Sequence, residues 1–277
     1  MSKKKVRIIP GFGLSMGVTL AILSLVVLIP LASLVVFTAK MSFSEIIEVI
    51  TRKRVLASFK VSLITAFVAS AINAVMGVVL AWVLVRYEFP FKRLIDGMIE
   101  LPFALPTAVA GISLTSLTAD TGFVGRIFAK FGIQIAYTKI GITVALIFIG
   151  IPFVVRSVQP VLEKFDPQYE EAAGILGASR TKTFWKVILP ELSPAIFTGF
   201  GLAFGRCLGE YGSVVFIAGN HPYETEITPL IIMSELQEYD YSSATAIALV
   251  MLATAFLILF LVNLIQIRNS KILKGGH

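Results

Sequence analysis

Cysteine and histidine are almost missing from this 277-residue chain, which holds one Cys, Cys207, and two His, His221 and His277. A lone cysteine permits no intramolecular disulfide and no cysteine-rich metal site, and the two histidines lie far apart, so no metal site and no redox chemistry are expected. The sequence contains no H-E-x-x-H, no G-x-S-x-G and no G-x-x-x-x-G-K-[ST]. It therefore offers no nucleophile-base constellation and no Walker loop for nucleotide phosphates. No catalytic residue and no cofactor are expected, and any drive from ATP must come from another chain. Charge is scarce as well: Asp, Glu, Lys and Arg make up 15% of the residues. The net charge of +7 forms no basic stripe interleaved with aromatics, which argues against a nucleic-acid partner.

What the chain has in abundance is apolar surface. Hydrophobic residues make up 56% of it and the mean hydropathy is +0.86, values that no water-soluble domain carries on its surface. The fold class expected is an all-α integral membrane protein. Runs long enough to cross a hydrocarbon core of about 30 Å cover residues 12–39, 58–85, 98–118, 140–158, 194–218 and 244–267, six spans that place both termini on one side of the bilayer. Fifteen of the 24 Lys and Arg, counting Arg156 at the end of the fourth span, fall in or beside the segments that would be cytoplasmic if the N-terminus is inside, against seven in the outer loops, and positively charged flanks stay inside. The basic stretch 2–7 before the first span imitates a signal peptide, but the span is too long and lacks a small-residue cleavage site, so it reads as a retained helix. Residues 41–57 carry Arg52, Lys53 and Arg54 on the outer side. Phe43, Ile46, Ile47 and Ile50 recur there at helical spacing, which predicts a helix lying flat in the interface. The chain divides into an N-terminal helix with its interfacial segment (1–57), a membrane core (58–267) and a cytoplasmic tail (268–277).

One cytoplasmic segment interrupts this apolar pattern. Residues 170–190 read EEAAGILGASRTKTFWKVILP. Asp166-Pro167 is a good helix start, because the Asp side chain accepts orphan N–H bonds and proline has no N–H to leave unpaired. Glu170 and Glu171 follow in the first turns, where the helix dipole favours negative charge. Gly177 can take the left-handed conformation that ends the helix, and Ser179 can cap a second short helix bearing Arg180, Lys182 and Lys186. The expectation is a helix-turn-helix finger whose Phe184 and Trp185 pack on the membrane domain or a partner. The plainer alternative is an amphipathic connection between two spans.

Three features stand at membrane depth. Pro102 and Pro106 each remove a helical hydrogen bond from the third span, and irregular backbone is tolerated there only where protein or a wet cavity satisfies it. The segment with Thr107, Ser113, Thr115 and Ser116 therefore either borders a pathway or is a packing kink. Gly201, Gly205 and Gly209 form a smooth stripe on the fifth span, as do Ala69, Asn73, Gly77 and Ala81 on the second, and such stripes admit a neighbouring helix. Arg206, Glu210 and Ser213 are spaced to share one face of the fifth span. Arg206 either steers a passing anion or forms a permanent ion pair with Glu210. The outer loop 219–243 holds five acidic residues and no Lys or Arg, and would repel an anion arriving unescorted.

Glu171-Ala172-Ala173, three residues, Gly177, nine residues, then Val187-Ile188-Leu189-Pro190 resembles the EAA signature of bacterial ABC-importer permeases, with Val187 where that family usually has Ile. Further blocks, LPFALPTAVAG at 101–111, IPFVVRSVQP at 151–160, LPELSPA at 189–195 and GEYGSVVFIAGN at 209–220, are similar to T-type permease subunits of sulfate/thiosulfate importers. Molybdate and tungstate permeases share several of them in altered form. The resemblance implies a MetI-like, six-helix permease with coupling helices. Its partners would be the lipid bilayer, a homologous second permease subunit, a dimer of ATPase subunits that binds the ATP, and a periplasmic sulfate/thiosulfate-binding protein. It also implies a coupling set of Glu170, Glu171, Ala172, Ala173, Gly177, Arg180, Leu189 and Pro190. The pathway set is Pro102, Pro106, Thr107, Arg206, Glu210 and Ser213. An ion-coupled secondary transporter would need more intramembrane carboxylates and internal repeats, and a membrane enzyme would need a catalytic constellation; the sequence shows neither.

Overall fold

A computed structural model describes residues 12–274 and is all-helical over that range; the basic stretch 2–7 lies outside the described residues. Helix α1 (Phe12–Thr38) leads through Ser42 into the short α2 (Phe43–Thr51). Ser42 and Glu45 form a reciprocal capping box at that entry, which satisfies two otherwise orphaned donors. Helix α3 (Lys53–Arg86) then runs for 34 residues, roughly 51 Å at the α-helical rise. Three short helices follow, α4 (Lys92–Ile99), α5 (Leu101–Ala104) and α6 (Thr107–Thr118), then α7 (Phe123–Ala129). Helix α8 (Lys139–Lys164) is capped by the Thr138 hydroxyl, which accepts from the N–H groups of Ile140 and Gly141. After α9 (Gln168–Ile175) come α10 (Arg180–Leu208), α11 (Val214–Ile217), α12 (Thr228–Gln237) and α13 (Tyr241–Lys274).

Among the described residues, five helices are long and apolar enough to cross a membrane: α1, α3, α8, α10 and α13. The segment expected as a single third span is instead broken into α4, α5 and α6. The reason is local. Pro102 sits at the start of α5 and Pro106 immediately before α6, positions where a missing N–H costs nothing, so each proline begins a helix rather than kinking one. Helix α6 has 12 residues, roughly 18 Å, which falls short of a bilayer core. The expected fifth span at 194–218 is also revised. Its helix begins earlier, at Arg180, ends at Leu208, turns through Gly209–Ser213 and resumes briefly as α11.

The core is the three-way contact of α3, α8 and α10, closed on one side by α12 and α13 and on the other by α6 and α11. α1 touches α13 from outside, and none of its apolar window is buried. Ala69, Asn73 and Ala81 on α3 have no exposed surface, so the small-residue row expected there does face a partner. A methyl group added at Gly77 would stand 2.5 Å from Val154 Cγ1. On α10 the seam runs along Leu192, Ala195, Gly199, Ala203 and Cys207, all buried, and a methyl at Gly199 would lie 2.8 Å from Val154 Cα. The glycine stripe expected at 201, 205 and 209 is not this seam. Only the Leu259 side chain approaches Gly201 and Gly205, at 3.7 and 3.5 Å, and Gly209 faces open space.

Backbone cannot retreat as a leucine tip can, so the two glycine rows respond differently to added volume. Gly199→Val is expected to lower the thermal unfolding midpoint of the detergent-solubilised protein, an overpacking cost of about 1–3 kcal/mol, whereas Gly201→Val should shift it little. Equal shifts for the two variants would contradict this assignment of the seam.

Candidate functional site

The finger forms as its local chemistry dictates. Asp166 Oδ1 accepts from Gln168 N–H at 2.9 Å, and α9 carries Glu170 and Glu171 in its first turn. Pro167 occupies the capping position rather than the first helical one. Gly177 has φ +78°. Its N–H donates to Gly174 O, and Ala178 N–H donates to Ala173 O, the paired bonds of a Schellman ending that consume two orphan carbonyls. Ser179 Oγ then accepts from Lys182 N–H at 3.3 Å. The second arm is not a separate short helix, as the cap alone suggested. It continues through a π-helical turn, Phe184–Ile188, directly into the membrane part of α10, so Leu189 and Pro190 stand inside a helix.

The tip is apolar and bare. Ile175 and Leu176 are each 87% exposed and Trp185 is 62% exposed, while Glu171, Ala172, Gly177 and Arg180 are also exposed. The base of the finger is held. Glu170 forms an ion pair with Arg86, the last residue of α3. Phe184 meets Trp82 edge to face at 5.5 Å, and Ala173, Leu189 and Pro190 are half-buried.

At the far end of α10, roughly 40 Å of helix away, the residues of the expected pathway set gather by a different route from the one their spacing suggested. Arg206 Nη1 pairs with Glu210 Oε2 at 2.6 Å. Glu210 is 2% exposed, and its Oε1 accepts from both the N–H and the hydroxyl of Ser213, at 2.8 and 2.9 Å. These three side chains therefore meet across the Gly209–Ser213 turn and not along one helix face. Helix α6 crosses that turn at close range: a methyl at Gly212 would lie 2.1 Å from Thr107 Oγ1, and one at Gly111 would lie 2.4 Å from Ser213 O. Two glycines thus bring Thr107 beside the Glu210 turn. Pro106, exposed, immediately precedes Thr107, and Pro102, buried, lies further back at the start of α5. The hydroxyl of Thr115 donates to Gly111 O at 2.7 Å and is spent on its own helix, whereas Ser113 and Ser116 are exposed.

Two clusters escaped the sequence reading. Arg156 on α8 binds Asp96 Oδ1 at 2.8 Å, Asp96 O at 3.1 Å and Glu100 Oε1 at 2.9 Å, stapling the broken third segment to the core where its backbone is irregular. In the segment between α2 and α3 and at the start of α3, Arg54 holds Glu226 with two nitrogens at 2.8 and 2.5 Å, and Arg52 reaches Glu235 at 3.6 Å. Burial raises the Glu235 carboxyl above its ordinary value, and hydrogen bonds from Ser243 lower that of Asp240. The acidic loop and the basic segment 52–54 therefore cancel in part, and the expected free negative surface reduces to residues such as Glu224, Glu238 and Asp240. Sequence distance hid both clusters; the only advance signal was an unusual concentration of opposite charge in two segments assigned to the same side.

A family model described as "Binding-protein-dependent transport system inner membrane component" matches residues 73–271. The chain is 52% identical over 269 residues to the sulfate transport system permease protein CysT of Escherichia coli (strain K12), covering 97% of each chain. Its fold is similar to that of a bacterial ABC transporter involved in the import of the acidic polysaccharide alginate, with a TM-score of 0.75 at 17% identity over 93% of this chain and 96% of that one. It is also similar to the same kind of transporter in complex with an alginate pentasaccharide-bound periplasmic protein, with a TM-score of 0.74 at 19% identity, over 92% and 93% of the two chains.

The geometry of Glu210 makes a double-mutant cycle informative. Arg206→Met leaves a buried carboxylate unpaired and Glu210→Met removes the cap on Ser213 as well, so each change should lower thermal stability. The double variant should lose less than the sum, with an interaction energy of about 0.5–3 kcal/mol. Strict additivity in the measured unfolding midpoints would show that the pair holds nothing.

Proposed function

The chain belongs to the family of binding-protein-dependent transport system inner-membrane components, and we propose that it is the permease subunit that forms half of the pathway in an ATP-driven sulfate and thiosulfate importer. It is a multi-pass inner-membrane protein and not an enzyme. The observation that carries this reading is the finger, a capped two-arm projection whose tip exposes Ile175 and Leu176 and whose second arm is continuous with α10. A surface of that form suits docking on a separate ATPase subunit, with Glu171, Ala172, Gly177 and Arg180 toward the partner. The cargo class follows from a relative named as a sulfate permease at 52% identity across 97% of both chains.

In this reading α4 to α6 together make the sixth crossing, the finger is cytoplasmic, and both termini are inside. A second permease subunit completes the pathway, two ATPase subunits bind the ATP, and a periplasmic binding protein delivers the oxyanion. ATP closure of the ATPase pair draws the fingers together, the permease opens outward, and hydrolysis returns it inward. Such a cycle requires the ATPase to hold the finger differently in the two states. The partial pairing of the outer acidic loop with Arg52 and Arg54 suits a docking face for a carrier better than an unscreened acidic mouth would.

Co-expression with the ATPase, a second permease and a sulfate-binding protein in proteoliposomes is expected to give ATP-dependent uptake of radiolabelled sulfate, reduced by thiosulfate in excess. Uptake driven by a pH gradient without ATP, or competition by molybdate alone, would overturn the assignment. Ile175→Asp and Gly177→Val should each reduce uptake by about tenfold or more while leaving the chain in the membrane, since the first charges the docking tip and the second strains a left-handed residue. For orientation, a cysteine at Leu176 in a Cys207→Ala background should be labelled by an impermeant maleimide only from the cytoplasmic side, and one at Tyr239 only from outside. The reverse pattern would refute the topology.

A further inference from the structure

Arg86 ends α3 where four elements converge. Its guanidinium meets the Glu170 carboxylate of α9. It also lies 5.3 Å from the ring of Trp82 on its own helix and 6.0 Å from that of Phe165 at the α8 to α9 joint. Trp82 in turn meets Phe184 of α10. The finger does not rest solidly on α3 around this point. An open cleft of about 600 Å³ lies between them, bordered by Trp82, Arg86, Tyr87, Glu170, Gly174 and Phe184 among its lining. Force applied to the tip of the first arm therefore reaches α3 through few contacts, and among the described residues the Arg86–Glu170 pair is the charged one. A planar guanidinium suits the position, because it can face aromatic rings and still present an edge to a carboxylate; an ammonium cannot do both.

We propose that the Arg86–Glu170 pair is the strut that carries movement of the finger's first arm into α3. The second arm needs no such device, since it is covalently part of α10. Without the strut, the finger would act on α10 and, through the short 165–167 joint, on the end of α8, with no charged link to α3. With it, α3 and α10 move together about their common contact with α8, where Gly77 and Gly199 bring all three backbones close. Arg86 is thus a positioning residue, and it acts on coupling and not on cargo. The proposal rests on the importer reading given above.

The test uses the full reconstituted complex with its binding protein, measuring sulfate taken up and ATP hydrolysed in the same vesicles. Arg86→Gln and Glu170→Gln are each expected to keep ATP hydrolysis and to lower the sulfate transported per ATP by about tenfold. The exchange Arg86→Glu with Glu170→Arg should recover most of the ratio. If Arg86→Gln does not assemble, Arg86→Lys takes its place, with an intermediate loss expected. An unchanged ratio in the single variants, or uptake and hydrolysis falling together at a constant ratio, would overturn the strut while leaving the importer reading intact. Absence of ATP-dependent uptake in the unmodified complex would instead sink that reading.

Discussion

Everything in this molecule depends on how closely three helix backbones approach one another in a medium that gives no hydrophobic reward for doing so. Lipid tails are as apolar as leucine, so α3, α8 and α10 are held by van der Waals contact, and contact of that quality needs side chains that are nearly absent. Gly77 and Gly199 meet the same residue, Val154 of α8, from two sides. Val154 has no exposed surface. Gly150, one turn earlier, makes room for Asn73, whose amide has no partner among the described side chains and backbone. An apolar residue would fill that space at lower cost.

Charge is used at the two ends of this bundle and hardly at all between them. At one end Arg86 and Arg156 tie the finger and the broken third segment to α3 and α8. At the other, Arg52 and Arg54 tie the entry of α3 to the segment before α12 and to α12 itself. Arg206 and Glu210 lie next to that second end, where the Glu210 carboxylate both neutralises a cation and orders the turn that α6 crosses. Glu210 is committed on both oxygens, one to the Arg206 guanidinium and the other to Ser213. What Thr107 shares with this turn is proximity created by Gly111 and Gly212.

How much of this was legible in the sequence follows from how local each determinant is. The finger could be read almost residue by residue, because Asp166, Gly177 and Ser179 act on donors and acceptors within five positions of themselves. The second-span row could be read too, since Ala69, Asn73, Gly77 and Ala81 leave no larger residue to compete for that face. The fifth-span stripe does admit a neighbour, α13, whose Leu259 lies against Gly201 and Gly205, but the tighter contact with α8 runs along a second row of small residues two positions away. Gly199, Ala203 and Cys207 repeat at the same interval as Gly201, Gly205 and Gly209, and periodicity alone does not say which row of small residues faces inward. The helix break at Gly209 escapes periodicity for a related reason: Gly209 continues the spacing of Gly201 and Gly205, yet it stands just past the helix end, where the turn begins. The Arg206–Glu210 pair was legible from its four-residue spacing, whereas Arg86–Glu170 and Arg54–Glu226 were invisible because their partners stand 84 and 172 residues apart.

The π-helical turn at Phe184–Ile188 has a consequence for phase. A single extra residue in that turn offsets everything before it by about 100° of rotation relative to a continuous α-helix. The azimuth of the finger's second arm is thereby set independently of the face that α10 turns to its neighbours, as a universal joint sets the heading of one shaft without twisting the other. Excising one residue there would straighten the ladder and swing Trp185 and Lys186 to a different compass bearing while the buried row from Leu192 to Cys207 stayed in place.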